Sequence, residues 1–377
     1  MKKIVIGATA LAAAVLMAVA EQPRSQDQFN ASVEKGLAWL VSVQGADGGW
    51  GQDGGNTSSI RRGERLESQG NDVANTAVAL MALTRNGHTP DRGIYREPVR
   101  RGLEFLLTSI ERAPQDTLAV TDVRDTQIQR KLGPYIDTFF SSMLLSELDG
   151  KVQQPQLSRR IHAALGKTVA KIQANQGRDG SWNQAGGWAP VLGTSMASRS
   201  LAVAKEKGIA VDAAVMARVD EYTRQAGRGG SNNAAASPVA VYQGAQMLEQ
   251  LSRTESDRRK NQGQIGEIQS KLADSSYIAG FGSMGGEEYF SYLNISDSLK
   301  RTGGKEWTNW NAKIKESLLS AQNDDGTWAG HHCITGRVAV TSAAIPTMVA
   351  ERNESVRRPF AGLPNKGFAL HSRGMRQ

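Results

Sequence analysis

Apolar residues recur at helical spacing along this chain, in segments that alternate between two kinds. One kind, such as Val99 to Ile110, is amphipathic, with apolar residues every three or four positions. The other kind, such as Val340 to Ile345, is built of small and apolar residues, which is typical of a helix buried on all sides. Helices of the second kind are expected to begin near residues 74, 136, 194, 237, 287 and 338. No strand-rich block appears, so the pattern predicts an all-α fold.

Three turns that share one sequence motif separate some of these helices. The motif is Q-x-x-D-G-x-W, and it occurs at Gln44 to Trp50, Gln176 to Trp182 and Gln322 to Trp328. The Asp-Gly pair predicts a tight turn in which glycine supplies a positive φ. The tryptophan is expected to fold back as an apolar lid. Each turn follows an amphipathic helix and precedes a helix opened by Thr and small residues.

The six helix pairs predict the architecture. A pair of this kind cannot bury both of its faces alone, so six pairs are expected to close into a ring. We therefore predict a single (α/α)6 toroid over residues 21–350, with the small-residue helices inside and the more polar helices outside.

The Q-x-x-D-G-x-W turn followed by a Thr-Ala helix resembles the repeat of terpenoid cyclases and protein prenyltransferases. The resemblance covers most of residues 31–350. It implies that the inner helices surround an apolar cavity, and hence an isoprenoid, lipid or other largely apolar ligand. The same toroid also hosts glycan-processing enzymes and thioester-bearing or cobalamin-binding proteins, so the fold alone does not determine the activity.

The N-terminus predicts export. Lys2 and Lys3 precede an apolar run from Ile4 to Val19, and the run ends in an A-x-A site at Ala20. Residues 1–20 are therefore interpreted as a cleaved secretory signal peptide. The mature chain is expected to be periplasmic or extracellular, and not an integral membrane protein.

Charge and cysteine content exclude further classes. The chain has 45 Lys and Arg against 37 Asp and Glu, a formal charge of +8. Much of the excess lies in residues 351–377, which are interpreted as a flexible basic tail. No zinc finger, RNP or helix-turn-helix pattern indicates nucleic-acid binding. The single cysteine, Cys333, excludes a disulfide within the chain.

One segment could supply the acid that starts a cyclisation. Squalene-hopene-type cyclases, which the chain resembles, protonate their substrate with a D-x-D-D motif at the start of an inner helix. The nearest segment, Asn71 to Thr76, holds the single carboxylate of Asp72. Asp72 or Asn75 is therefore interpreted as the cap of that helix.

Candidate metal ligands lie near the starts of the last two inner helices. The fifth begins with Glu287, Glu288 and Tyr289, and a His331-His332-Cys333 run precedes the sixth. Zinc-dependent prenyltransferases, which the chain resembles, hold their metal with Asp, Cys and His at the starts of consecutive inner helices. Imidazole, thiolate and carboxylate are ligands suited to Zn²⁺. We predict His331, Cys333 and Glu287 as the metal set and Zn²⁺ as the one cofactor.

The remaining candidates complete this predicted site. Cys333, His332, Glu288 and Arg337 are assigned to catalysis, with Arg337 expected to pair with a nearby glutamate or an anionic substrate. Ligand contact is assigned to a second set, comprising Glu287, Tyr289, Trp328 and Trp188. Two alternatives stay open for Cys333: a reactive thiol beside histidine, and a small buried hydrophobe with a structural role.

Three functions are compatible with these patterns. The first is an exported toroid that binds or processes a largely apolar ligand at the ring mouth, assisted by a metal. The second is a non-catalytic binding or scaffold protein of the cell envelope, which holds a protein partner. The third is a glycan-processing enzyme, which requires a separated pair of acids or a Tyr/His base in a groove.

Overall fold

A computed structural model describes residues 25–52, 70–182, 190–228, 244, 247–248, 250–251, 255–273 and 285–353. These residues form α-helices joined by turns, with two isolated β-bridges and no named strand among them. The signal peptide, the basic tail, Trp188 and most of the fourth predicted inner helix lie outside the described residues.

Thirteen helices are described, and they follow the predicted alternation. In chain order they are α1 (Gln26–Ser42), α2 (Val73–Arg85), α3 (Arg96–Arg112), α4 (Gln127–Leu132), α5 (Ile136–Leu148), α6 (Pro155–Ala174), α7 (Pro190–Glu206), α8 (Ala213–Arg228), α9 (Glu255–Lys260), α10 (Gln262–Ala273), α11 (Gly286–Thr302), α12 (Gly304–Ser320) and α13 (Arg337–Met348), followed by a 3-10 turn at Ala350–Arg352.

The inner helices are α2, α5, α7, α11 and α13. Helix α2 packs between α5 and α13, α5 also packs on α7, and α13 also packs on α11. Nearly every residue of α2 and α13 is buried, as their small-residue composition predicted. Helices α1, α3, α6, α8 and α12 lie outside this set and bury one face each against it. The predicted all-α toroid is confirmed for the described part of the chain.

The three repeated turns share one set of hydrogen bonds. At the first turn Gly48 has a φ of +88°. The fully buried indole of Trp50 donates to Leu40 O at 2.7 Å, and the Trp50 backbone N–H donates to Thr76 Oγ1 at 2.9 Å. Each turn therefore joins the end of an outer helix to the start of the next inner helix. The same bonds recur from Trp182 to Ile172 and Thr194, and from Trp328 to Leu318 and Thr341.

The glutamine of each turn reaches a further outer helix. Gln44 Nε2 donates to Pro98 O in α3 at 2.9 Å. At the third turn Gln322 Nε2 donates to Ser32 O in α1 at 2.9 Å. This last bond joins the two ends of the described chain and helps to close the ring. Gln176 makes the equivalent bond to Val215 in α8.

Side chains of the inner helices occupy the interior of the ring at two levels. The rings of Phe140 in α5 and Phe290 in α11 stack at a centroid distance of 5.4 Å, although these helices are not neighbours in the ring. Asp297 in α11 accepts hydrogen bonds from Arg85 in α2 and Arg199 in α7. At these levels side chains from different inner helices meet across the space that the resemblance predicted to be an apolar cavity.

Among the described residues, no helix has both the length and the hydropathy needed to cross a lipid bilayer.

Candidate functional site at the ring mouth

The mouth is the end of the ring at which the inner helices begin. The loop before α13 is held against the first turn of α11, where Gly286 N–H donates to His332 O at 3.2 Å. A side chain at position 286 would overlap Ile334, since its Cβ would lie 1.7 Å from Ile334 O. Glycine at this position therefore permits the close contact that brings Glu287 to Cys333.

The mouth assembles three metal-ligand types in one group. One carboxylate oxygen of Glu287, one imidazole nitrogen of His332 and Sγ of Cys333 all lie within 4.8 Å of one another. His332 Nδ1 lies 3.2 Å from Cys333 Sγ. These are the donor atoms that Zn²⁺ takes in proteins, and three protein ligands leave a coordination position for a further group. The residues present therefore fit a zinc-type ion.

The group contains His332 and not His331, which corrects the predicted metal set. Adjacent side chains of an extended chain point to opposite sides. Cys333 instead has a φ of +64°, a left-handed conformation that is rare for a residue other than glycine. This turn allows the side chains of His332 and Cys333 to approach each other. His331 is exposed and lies outside the group.

Glu287 lacks a compensating arginine or lysine among the groups that shift its pKa. Burial raises the pKa of its carboxyl, while a hydrogen bond with Cys333 and the charge of His332 act in the opposite direction. The Oε2 atom is buried and has no hydrogen-bond partner among the residues that the structure describes. Buried polar atoms in folded proteins are nearly always paired, so this oxygen marks a place where a ligand atom would be accommodated.

Two tyrosines follow Glu287 and Glu288 in α11. Tyr292 donates its hydroxyl to Glu288 Oε2 at 3.0 Å, and both residues are buried. Burial, together with the Glu288 charge, raises the pKa of Tyr292 above its usual range. Tyr289 is 1% exposed, and its buried hydroxyl has no hydrogen-bond partner in the described part of the chain. Within the described residues, Tyr289 therefore holds a second unpaired polar atom in the first turn of α11, two residues after Glu287.

Two of the other predicted site residues have structural partners. Trp328, assigned to ligand contact, is fully buried in the third turn, where its indole donates to Leu318 O, so the lid role is confirmed and the ligand role stays a prediction. Arg337 was expected to pair with Glu287 or Glu288. Its Nη1 instead donates to Asp325 Oδ2 at 2.8 Å, and its guanidinium lies 5.1 Å from the centre of the Trp39 ring. Trp188 lies outside the described residues.

A pair of buried acids at the mouth was missed. Asp72 caps α2 by accepting from Asn75 N–H at 2.8 Å, so the predicted capping role is confirmed. Asp137, in the first turn of α5, accepts from Ala74 N–H at 3.1 Å and from Gln129 Nε2 at 2.7 Å. Burial, with the Asp137 charge, raises the pKa of Asp72 to about 7, and burial raises the pKa of Asp137 to about 6. The sequence feature that could have predicted this pair is one carboxylate at the start of each of two small-residue helices.

The short helix α4 was also missed. Its Gln127 connects the loop before α13 to Gln52, which follows the first repeated turn. Gln127 Oε1 accepts from the backbone N–H of Thr335 at 2.8 Å and of Gly336 at 3.1 Å, just before α13. Its own N–H donates to Gln52 Oε1 at 2.6 Å. The T-x-x-Q capping box that opens α4, from Thr126 to Gln129, was the signal for this helix.

Comparison with known proteins supports the resemblance seen in the repeats. Residues 6–117 match the family model of the squalene-hopene cyclase C-terminal domain. The resemblance to the squalene cyclase-like terpenoid cyclase family is confirmed. Among solved structures, the type II terpene cyclase MstE from Scytonema, in its apo form, is similar at 14% identity and a TM-score of 0.49, over 86% of this chain and 98% of that chain. The comparison with curated proteins finds no match.

The segment that matches the squalene-hopene cyclase domain does not contain the metal-ligand group. It includes α1, α2, α3, the first repeated turn and Asp72. Glu287, His332 and Cys333 lie well beyond it. The family match therefore bears on the repeat, and the case for a site at Cys333 depends on the geometry of the mouth.

Proposed function

We propose that this protein is an exported squalene cyclase-like toroid that binds or processes a largely apolar, isoprenoid-like ligand at its mouth, with Glu287, His332 and Cys333 holding a zinc-type ion. The observation that carries the proposal is the group of three donor atoms within 4.8 Å of one another. The family match supports isoprenoid-related processing at a coarse level. The signal-peptide pattern of residues 1–20 supports the export part of the proposal.

The residues around the donor group have separable roles in this proposal. When bound, the ion would supply a Lewis acid to a ligand oxygen or would hold Cys333 as a thiolate. Glu288 and Tyr292 form a buried hydrogen-bonded pair that can fix a polar group of the ligand. Tyr289 offers an unpaired hydroxyl in the same region. The stacked Phe140 and Phe290 favour a ligand at the mouth over one deep in the ring.

Metal content of the purified mature protein tests the proposal. We expect about one zinc or similar ion per chain in the wild type, retained in His331→Gln and lost in His332→Gln and Cys333→Ser. His331→Gln is the matched control, because it removes an adjacent exposed imidazole that lies outside the group. In cobalt-loaded protein, a thiolate-to-cobalt absorption band should be present in the wild type and absent in Cys333→Ser.

Ligand binding is then measured separately, with isoprenoid alcohols and diphosphates as probes. Saturable binding that weakens at least tenfold in Cys333→Ser would support a ligand at the metal. Urea unfolding of each variant shows whether the fold is retained. A wild type that stays free of metal after incubation with zinc, or a Cys333→Ser protein that binds zinc equally well, would overturn the metal site.

A second function, a non-catalytic binding protein of the cell envelope, is favoured by one observation. Phe140, Phe290 and the Asp297 ion pairs fill the interior of the ring at two levels. A toroid filled in this way can present its outer helices and basic tail to a protein partner. Absence of metal and of isoprenoid binding, with normal stability of the wild type, would make this second function the better one.

A further inference from the structure

Helix α4 lies across the mouth of the ring. It packs against α2, α5 and α7, and its first residue, Gln127, bonds the backbone just before α13. These four inner helices follow one another around the ring, and neighbouring packed helices are about 8–10 Å apart. A helix of six residues is only about 9 Å long. It therefore reaches all four by crossing the mouth, and not by following its rim.

Gln127 ties α4 to the loop that carries Cys333. Its Oε1 accepts from the backbone N–H of Thr335 at 2.8 Å and of Gly336 at 3.1 Å. Its Nε2 donates to the Thr335 hydroxyl at 3.0 Å. Thr335 is the second residue after Cys333. One amide side chain therefore connects α4 to the backbone beside the metal-ligand group.

The other contacts of α4 are with α5 and α7. Gln129 Nε2 donates to Asp137 Oδ2 at 2.7 Å. The backbone of Leu132 lies against Gly193 in α7, where a Cβ atom would be 2.6 Å from Leu132 O. The side chains of Ile128 and Leu132 are fully buried. In this structure α4 is therefore closed on the mouth.

Both ends of α4 have backbone conformations that suit a hinge. Asp125, just before the helix, has a φ of +61°. Gly133, just after it, has a φ of +115° and a ψ of 149°, a combination that is essentially restricted to glycine. Hinges absorb large changes in φ and ψ at a few residues near the ends of elements. Residues 125–133, called the strap below, form a unit bounded by two such positions.

We propose that the strap is a lid, which opens to admit a ligand to the metal-ligand group and closes over it through Gln127. The proposal rests on the proposed function for the identity of that ligand, but not for the movement. Cys333 is 5% exposed with the strap closed. The stacked Phe140 and Phe290 lie farther into the ring, so a ligand at the donor atoms would lie between these rings and the strap. A closed lid would exclude water from that ligand.

The labelling rate of Cys333 measures opening of the strap without a metal or an isoprenoid. Cys333 is the single cysteine of the chain, so a maleimide added to the full mature protein in EDTA reports on this residue alone. Gln127→Ala removes the bonds to the loop before α13, and we expect labelling to become at least tenfold faster. Gln176→Ala is the matched control, because its amide bonds Gly180 O and Val215 O on the outside of the ring. It should leave the labelling rate unchanged.

A second pair of variants tests the hinge. Gly133→Ala strains the closed strap through its φ, although among the described residues a Cβ there would meet no atom within 4 Å beyond its chain neighbours. Gly150 has a φ of +73° and equally open surroundings, and it follows α5 at the other end of the ring. We expect faster labelling in Gly133→Ala and not in Gly150→Ala. Urea unfolding of all four variants corrects the rates for global unfolding, which would also expose Cys333.

Hydrogen exchange measured by mass spectrometry locates the opening. In the wild type, the amides of residues 128–133 should exchange through a local opening, faster than those of α2 and α5. Labelling rates that merely follow global stability in all four variants would overturn the proposal. Strap amides that exchange as slowly as those of α2 would also overturn it. Neither measurement needs a bound ion, so a failed metal site and an immobile strap give distinguishable results.

Discussion

The mouth of the ring and its base, the opposite end where the inner helices finish, both bury carboxylates. The two ends differ in the hydrogen-bond partners of those carboxylates. At the base, Asp297 accepts from Arg85 and Arg199, and Glu147 accepts from Arg85 in two places. At the mouth, Asp72 and Asp137 accept from neutral amides and backbone N–H groups. The base therefore pairs its acids with arginine, whereas the mouth holds acids whose pKa values are raised.

The two kinds of buried carboxylate suit different roles, one structural and one chemical. A buried carboxylate paired with arginine stays charged and fixes the helices around it, but it cannot exchange a proton near neutral pH. A buried carboxylate without a cation can take up a proton or a metal ion, at a cost in stability. The raised pKa of Glu287 and its unpaired Oε2 place the metal-ligand group in this second class.

Arg85→Met should give the largest effect, since it removes the cation shared by both acids of the base. Burial alone would lower the pKa of Arg85, but Asp297 and Glu147 raise it above its usual range. The variant leaves Glu147 without its bidentate partner and Asp297 with Arg199 alone. We expect a loss of about 3–5 kcal/mol in the free energy of unfolding, measured by urea denaturation.

Arg100→Met is the matched control for this variant. Arg100 pairs with Glu97 on the exposed face of α3, and both side chains are about half exposed or more. Such a pair contributes about 0–1 kcal/mol. A loss below 1 kcal/mol in Arg85→Met as well would show that the base is not held together by its ion pairs.

Asp72→Asn should change how stability depends on pH. The pKa of Asp72 is raised to about 7 in the folded protein, against 3.8 as the ordinary value. The folded state therefore binds the proton more tightly, and its contribution to stability is present below about pH 4 and is lost as the pH rises to about 7. Asparagine retains the oxygen that caps α2 and cannot ionise.

The measurement is urea unfolding of wild type and Asp72→Asn at several values between pH 4 and pH 8. The variant should gain on the wild type as the pH rises, by about 4 kcal/mol in total. A difference between the two proteins that stays constant with pH would contradict a raised pKa for Asp72.

Arg337→Gln should have the smallest effect. The Arg337 and Asp325 side chains are 32% and 44% exposed, so solvent screens their ion pair. We expect a loss of about 0.5 kcal/mol, further reduced by salt. Asp325→Ala should cost more, because it also removes the oxygen that accepts from the backbone N–H and the hydroxyl of Thr327. A loss above 2 kcal/mol in Arg337→Gln would give the mouth a structural ion pair like those of the base.

Local patterns in the sequence predicted the fold well. The Q-x-x-D-G-x-W spelling predicted the positive φ of Gly48 and the buried Trp50, because both follow from the chemistry of one short turn. Small-residue composition predicted which helices lie inside. The role of Gln44 in reaching α3 was not predicted, since a side chain that bonds a distant helix leaves no local signature.

The candidate site was predicted less completely, and for a physical reason. The residue types, and the fact that the inner helices begin at the same end of the ring, predicted that Glu287 lies near the His331-His332-Cys333 run. The choice between His331 and His332 depends on the left-handed φ of Cys333, and a cysteine gives no indication of that conformation. The partner of Arg337 likewise depended on which of several nearby acids its side chain reached.

The sequence by itself determined the helical periods, the repeated turns and the order of outer and inner helices, because these depend on residues within about one or two turns of each other. The tertiary structure alone decided which buried acids meet an arginine. Asp72 and Asp297 are both carboxylates of inner helices, but only Asp297 lies where α2 and α7 present Arg85 and Arg199. Charge pairing across a ring depends on distances between residues far apart in the chain, and those distances exist only once the ring has closed.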